Sequence, residues 1–410
     1  MKRILSLFFL TVFLLTGCEQ YQVNNKANIN SKTNVEINKL KNTFNLKAVW
    51  FSYIELDFIG YTEQEAENEI ASMFTKVKNA NFNAVVCQVR ANCDAAYPSK
   101  YFPFSNQYKG ENGEGPSYDP LKLMVATAHN LGLEFHAWIN PYRISAQNKD
   151  YLKLPATSPA YIYLTDQAEE NDNNVLFTET GMYLNPASDE VRSLVALGVE
   201  EILNNYEVDG IQFDDYFYPT TEKNFDKNSY NEYKNNITNP LPLDDWRRTN
   251  VNLLISQIYR TVHRFDGVCF GISPAADISF NNTDNNYQKL YADIPLWCST
   301  KGYIDYIAPQ LYFGYNYPDE NFCYSTLLNN WCELPRTKGV KLYIGLAAYK
   351  LGTLDAESNE WKTDTKILSR QCKDAKKSKA DGVMLYSYSY LFNDNEQNTN
   401  ELNSLKEELK

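Results

Sequence analysis

The stretch Val208-Asp209-Gly210-Ile211-Gln212-Phe213-Asp214-Asp215-Tyr216-Phe217-Tyr218-Pro219 decides the fold. Side chains alternate across a strand, so Ile211 and Phe213 share one face while Gly210, Gln212 and Asp214 share the other. An apolar face that packs under helices, opposite a polar face ending in a carboxylate, suits one strand of an α/β barrel. Such barrels open their sites at the carboxyl ends of the strands. Asp214 and Asp215 stand beside Tyr216, Phe217 and Tyr218. Carboxylates carry glycosyl-transfer chemistry, and aromatic faces stack on sugar rings. The competing reading is an acidic strand-to-loop turn in which Asp215 caps a neighbouring segment.

Outward from this strand, apolar β-rich runs alternate with longer amphipathic stretches. Strands are predicted at 48–53, 84–90, 133–140, 208–214, 268–274, 306–312, 342–348 and 382–388. Helices are predicted between them at 63–80, 120–131, 188–206, 244–265, 287–300, 321–333 and 364–379. This alternation argues for a parallel sheet, and the strand count for a single (β/α)8 TIM-type barrel. No Gly-rich phosphate loop follows the first strand, which weighs against a dinucleotide fold. Long inserts at 92–119, 141–185 and 219–243 each follow a strand and therefore belong to the catalytic face.

Strand parity sharpens the assignment. If the larger aliphatics face the helices, His136, Trp138 and Asn140 point into the lumen from the third strand, and Gln88 and Arg90 from the second. The later strands send Ser273, Gln310, Tyr312, Tyr349, Tyr386 and Tyr388 to the same end as Asp214. Separate strands thus converge polar and aromatic groups on one mouth.

The N-terminus reads as an export signal. Lys2 and Arg3 precede an apolar run from Ile4 to Leu15, followed by Thr16-Gly17-Cys18. That run is too short for a lasting transmembrane helix. Leu15-Thr16-Gly17-Cys18 is similar to the bacterial lipobox, which predicts a signal peptide at 1–17 and a lipid on Cys18. Residues 18–45, rich in Asn, Lys, Gln and Thr, read as a flexible tether. The barrel is expected over 46–395 and a C-terminal tail over 396–410. The expected location is therefore an exported lipoprotein, membrane-anchored on the periplasmic or extracellular side.

Composition narrows the partners. The formal charge of −12, without a dense basic patch, disfavours nucleic acid. The 31 tyrosines and 21 phenylalanines agree with a carbohydrate cleft, although most such rings fill cores. No Cys-x-x-Cys pair occurs, and His129, His136 and His263 lack metal-ligand spacing, so neither a metal nor a cofactor is expected. Cys298, Cys323, Cys332 and Cys372 are open to pairing in an oxidising compartment.

Several residues carry candidate chemistry beside a plainer reading. Arg90 either holds a catalytic carboxylate or a substrate carboxylate, or makes a structural ion pair. His136 and Asn140 suit sugar hydroxyls, but a lone histidine is often a satisfied core group. Trp138 reads as barrel packing. Asp277 either supplies a second carboxylate or caps the next segment. Gln310 and Tyr312, in Ala308-Pro309-Gln310-Leu311-Tyr312, read as substrate contacts.

Taken together, these motifs resemble the bacterial glycosyl-hydrolase-like lipoproteins that include the peptidoglycan hydrolase specific for denuded glycan strands. The resemblance rests on Gln88-Val89-Arg90 with Asp94 and Tyr97-Pro98-Ser99, and on Tyr118-Asp119-Pro120-Leu121. It continues through His136-Ala137-Trp138-Ile139-Asn140-Pro141-Tyr142-Arg143, Leu184-Asn185-Pro186, the run from Asp209 to Pro219, and Ala308 to Tyr312. It implies a lipid-anchored (β/α)8 hydrolase of glycan strands lacking stem peptides, with Asp94, Arg143, Tyr216 and Tyr218 among the substrate contacts. One departure stands out: Ser273-Pro274-Ala275-Ala276-Asp277 replaces the family's Ser-Pro-Phe-Gly, which touches subsite shape.

Glycosidases use an ionised and a protonated carboxyl group. Parity assigns Asp214 the first role, and Asp215, Asp277 and Asp94 compete for the second. Two other functions fit the same residues: hydrolysis of a different polysaccharide such as a glucan, and non-catalytic glycan binding by a degenerate barrel.

Overall fold

A computed structural model describes residues 44–109, 114–279, 281 and 283–410. The predicted signal peptide, Cys18 and all of the tether except Phe44 and Asn45 lie outside the described residues.

Eight parallel strands close into a barrel in the order β1-β11-β10-β9-β8-β7-β3-β2. These are β1 (Leu46–Phe51), β2 (Ala84–Arg90), β3 (Glu134–Ile139), β7 (Gly210–Phe213), β8 (Cys269–Ile272), β9 (Tyr306–Ile307), β10 (Lys341–Ala347) and β11 (Gly382–Tyr386). Every predicted barrel strand is present, some shorter than expected. The remaining strands, β4 (Arg143–Ser145), β5 (Val175–Phe177) and β6 (Met182–Leu184), form a small antiparallel sheet inside the insert that follows β3. Each has only three residues, too few for a period-2 pattern to register in sequence.

Alternation sorts the barrel into two apolar layers. Phe135, Ala137 and Ile139 join the large core between strands and helices, as do Ile211 and Phe213. Trp50, Val86, Trp138, Tyr306 and Met384 form a smaller cluster inside the lumen. The lumen is therefore a packed plug, and chemistry is confined to its carboxyl-end mouth. Within the plug, a Cβ on Gly271 would stand 2.1 Å from the Tyr306 ring, so only glycine admits that ring.

Local signals start the helices where the sequence places them. Thr62 and Glu65 form a reciprocal capping box before the helix Glu63–Asn79. Asp119 caps Pro120–Asn130 and Ser188 caps Asp189–Asn205.

Two expectations are corrected. The single helix over 287–300 is instead two short ones, Asn285–Gln288 and Ile294–Ser299. Tyr291 between them has φ of 56°, and Pro295, which lacks an amide hydrogen, starts the second piece under an Asp293 cap. The segment 396–410 is not a tail, because Glu396–Glu408 is a helix packed on the helix Ile367–Lys377. Leu405 and Glu401 are fully buried there. Among the described residues all seven cysteines are free thiols, and no helix is long and apolar enough to cross a membrane.

Candidate active site

Asp214 follows the last residue of β7 and is 3% exposed. Three donors converge on its carboxylate. Trp138 donates its indole Nε1–H to Oδ2 at 3.0 Å, Asn140 donates Nδ2–H to Oδ2 at 3.2 Å, and the Tyr216 amide donates to Oδ1 at 3.3 Å. Trp138 reaches Asp214 because β3 pairs with β7 and sets Trp138 opposite Gln212 in the lumenal register. Asn140 is oriented in turn, its Oδ1 accepting the Arg143 amide at 3.0 Å. Burial pushes the Asp214 carboxyl up, while the nearby Arg143 charge and these donors pull it back.

The chain bends just past Asp214, where the Phe217 amide bonds the Asp215 carbonyl at 3.0 Å. At this turn Asp215 lies beside Asp214 and the Gln310 side chain despite its opposite strand parity. Burial first, and then the charge of Asp214, push Asp215 up to about 7, with the Gln310 side chain opposing them. Both carboxyls are thus raised, Asp214 against three donors and the Arg143 charge that favour its anion, Asp215 to about 7.

A cavity of about 240 Å³ opens at this mouth. Tyr312 stacks on Tyr386 with ring centres 6.0 Å apart, and Tyr349 meets Tyr312 edge-on at 5.7 Å. Trp50 and Trp138 form the floor, each edge-on to Tyr386 at 6.4 and 6.3 Å. Tyr216, 55% exposed, forms a rim. Polar groups reach the cavity from Gln212, Ser273 and Gln310. Gln310 is fixed by donating Nε2–H to the Ser273 carbonyl at 2.9 Å. The result is an aromatic box with Asp214 in its wall and Asp215 next to it, beside the Gln310 side chain.

Arg143 stands at the edge of this mouth. Its Nε–H donates to the Ala91 carbonyl at 2.9 Å, and its guanidinium lies 5.7 Å from the Tyr216 ring centre and 5.9 Å from that of Tyr53. Its terminal nitrogens make no hydrogen bond or ion pair among the described residues, so they are available to an anionic substituent.

Other predicted residues are placed elsewhere. Arg90 faces away from the lumen because the β2–β3 register slips between Gln88 and Arg90, setting Arg90 opposite the outward Ile139. This bulge reverses the parity on which the expectation rested. Arg90 instead stacks 3.8 Å over Phe102 and lies against Gly198, where a Cβ would meet its Nη1 at 2.5 Å. Asp94 lines a separate cavity with Asn92, Cys93 and Phe104. Asp277 accepts the amide and the side-chain Nδ2–H of Asn285, each at 2.8 Å, so it ties a loop rather than facing the mouth. Tyr218 is buried against Tyr291 and Phe225. His136 is lumenal but below the site, with Nδ1 3.1 Å from the Tyr306 hydroxyl. Tyr388 turns outward and stacks on Phe51 at 4.6 Å.

The structure adds groups that sequence reasoning passed over. Trp138 bonds the Asp214 carboxylate instead of only packing, and Trp50 and Gln212 line the cavity, joined by a 3.2 Å Nε1–H to Oε1 bond. Parity applied to the first strand would have placed Trp50 in the lumen.

Comparison with known proteins bears on the family and the fold. The family model described as glycosyl hydrolase-like 10 matches residues 45–363. The chain is similar to the glycosyl hydrolase YngK of Bacillus subtilis (strain 168), 36% identical over 325 residues that cover 75% of this chain and 61% of that protein. It is also similar to the glycosyl hydrolase DigH of Escherichia coli (strain K12), 33% identical over 305 residues, covering 70% and 66% respectively. The matched region thus spans less than two thirds of either relative. Among solved structures, the glycoside hydrolase domain of PgaB (BpsB) from Bordetella bronchiseptica shares the fold. Its TM-score is 0.57 at 14% identity, over 86% of this chain and 97% of that one.

Proposed function

Because the chain belongs to the glycosyl hydrolase-like 10 family, we propose that it is a glycoside hydrolase acting on cell-wall glycan, on peptidoglycan strands that have lost their stem peptides. The observation that carries the reading is the carboxyl pair at the mouth: a donor-rich Asp214 next to an Asp215 that keeps its proton to about pH 7, inside an aromatic box. Asp215 protonates the departing glycosidic oxygen, and as the anion it later takes a proton from the incoming water. Asp214, as the anion that Trp138, Asn140 and Arg143 favour against burial, stabilises the positive charge that develops on the sugar.

The choice of substrate rests on the motif resemblance and on Arg143. Removing a stem peptide frees the lactyl carboxylate of each muramic acid. An arginine at the rim with free terminal nitrogens suits that anion, whereas in the peptide-bearing strand the lactyl group is an uncharged amide. The Leu15-Thr16-Gly17-Cys18 sequence supports a lipid anchor at Cys18, which would keep the barrel beside the wall.

The test is incubation of the purified chain with sacculi, with and without prior amidase treatment. Saccharide release from the amidase-treated material is expected. A folded protein that releases none from either would end the claim.

A further inference from the structure

Asp214 and Asp215 are consecutive residues just past the end of one strand, and of the two Asp214 lines the cavity. A two-carboxylate displacement needs something more: a second carboxylate placed across the anomeric carbon to attack it or to activate water. The other carboxyl groups near the mouth are committed elsewhere. Glu55, which lies toward Tyr386, accepts Ser387 Oγ–H and the Ser389 amide on one oxygen, at 2.7 and 2.6 Å. Its other oxygen accepts the Ser52 amide and hydroxyl at 2.7 and 2.9 Å. Asp355, near Tyr349, is paired with Lys350 at 2.7 Å. Asp277 is held by Asn285. Among the described residues lining the cavity, Asp214 is the one carboxyl group, and none stands across from it.

We propose that the nucleophile is supplied by the substrate: the 2-acetamido group of an N-acetylated amino sugar attacks its own anomeric carbon, with Asp214 holding the amide N–H and Asp215 acting as the acid. The proposal rests on the glycosidase reading above and narrows its substrate to glycans acetylated on nitrogen at the cleaved residue.

The steps balance. A lone pair of the acetamido oxygen forms a bond to C1 as the glycosidic C1–O bond breaks. The electron pair of that bond goes to the departing oxygen, which takes the Asp215 proton. The amide nitrogen becomes positively charged within an oxazolinium ring, its N–H directed to the Asp214 carboxylate. Water then adds to C1 and gives its proton to Asp215. The ring C1–O bond breaks, its electrons restoring the acetamide. Two displacements leave the anomeric configuration retained.

The site is built for this division of labour. Trp138 and Asn140 both donate to Asp214 Oδ2, while Oδ1 accepts only the Tyr216 amide at 3.3 Å and a long Asn140 contact at 3.4 Å. Oδ1 thus keeps capacity for the substrate N–H. Trp50, Trp138 and Tyr386 supply the apolar surface that an acetamido methyl group requires.

The experiment uses the full chain and denuded glycan strands that have been de-N-acetylated and then re-acylated with acetyl, fluoroacetyl or difluoroacetyl groups. Each fluorine makes the carbonyl oxygen less nucleophilic. Cleavage of the acetyl form is expected, with kcat/KM falling about tenfold or more across the series, a barrier rise of ~1.4 kcal/mol or more. Retained configuration is expected in the first-formed reducing end. A flat series, or an inverted product, overturns the proposal while leaving the glycosidase reading intact.

A second measurement needs no turnover. The thiazoline analogue of N-acetylglucosamine, which mimics the cyclic intermediate, should bind the wild-type chain and bind Asp214→Asn at least about tenfold more weakly, the loss of one charge-assisted hydrogen bond. Equal binding, or none to wild type, overturns the proposal. A chain that binds the thiazoline but cleaves no strand sinks the hydrolase reading instead.

Discussion

The Trp138 indole nitrogen lies 3.0 Å from Asp214 Oδ2, one barrel strand reaching across to hold the carboxylate of the next. The bond depends on β3–β7 register, which pairs Trp138 with Gln212 and leaves Asp214 two residues further on. Phenylalanine keeps the ring and removes the donor. Trp138→Phe should therefore lower kcat by roughly tenfold to a hundredfold, from a charge-assisted hydrogen bond of ~1.5–3 kcal/mol. Because that bond favours the anion, the acidic limb of the pH–rate profile should also move to higher pH. An unchanged profile would show that the indole only packs.

Asp215 makes a prediction about pH. In the proposed mechanism it must be protonated to act, and burial, with the charge of Asp214, lifts its carboxyl to about 7. Activity should decline as pH rises through about 7, approaching tenfold per unit beyond it. Asp215→Asn should abolish that decline and reduce kcat by ~10²–10⁴-fold. Substrates with a good leaving group, such as aryl glycosides, should lose less in the first step. A decline that persists in the variant would assign the titration to another group.

Arg90 tests the placement of the site. It is 1% exposed, and none of its guanidinium nitrogens has a hydrogen-bond partner among the described residues. Replacing a buried charge lacking good partners by an apolar side chain of similar length is often neutral or stabilising by ~1–4 kcal/mol. Arg90→Met should hold or raise the melting temperature and leave kcat/KM for glycan within about twofold, since Arg90 faces the helix carrying Gly198. A large loss of activity in a stable variant would return Arg90 to the mouth.

Glu401, on the C-terminal helix, links stability to pH. Burial raises its carboxyl from 4.5 to about 7, and it accepts the Ser369 amide at 2.7 Å. A raised acid favours the folded state most at low pH. Its contribution is complete below about 4.5, falls as pH rises, and is lost by about 7. Glu401→Gln avoids ionisation altogether. The variant should be more stable than wild type above about pH 7, by at most ~3–4 kcal/mol at ~1.4 kcal/mol per pKa unit. The difference should shrink toward pH 4.5. Denaturant melts at several pH values would expose a constant difference, which is the contrary result.

Much of the architecture was legible because it is written locally. Period-2 patterns marked all eight barrel strands, and capping residues such as Thr62, Asp119 and Ser188 marked helix starts. Parity also placed Asp214, Gln310, Tyr312 and Tyr386 at one mouth, since alternation along a regular strand needs no knowledge of its partners.

The failures have a shared cause. Arg90 was assigned to the lumen by counting along β2, but the bulge between Gln88 and Arg90 adds a residue that only the β3 partner reveals. Asp277 and Tyr218 lie on loops, where parity has no meaning and Asn285 or Tyr291 decides the outcome. Asp215 is the opposite case, set beside Asp214 and Gln310 at the bend that follows β7.

The amino-acid sequence by itself therefore determined the barrel, its open end and the carboxylate aimed into it, because strand alternation and helix capping act between residues close in the chain. Only the tertiary structure decided which groups work with Asp214. Trp138, Asn140 and Arg143 come from β3 and the loop after it, and Gln310 reaches Asp215 from beyond β9. Register, bulges and burial set those meetings and the proton held by Asp215, and they arise only when distant segments close the barrel.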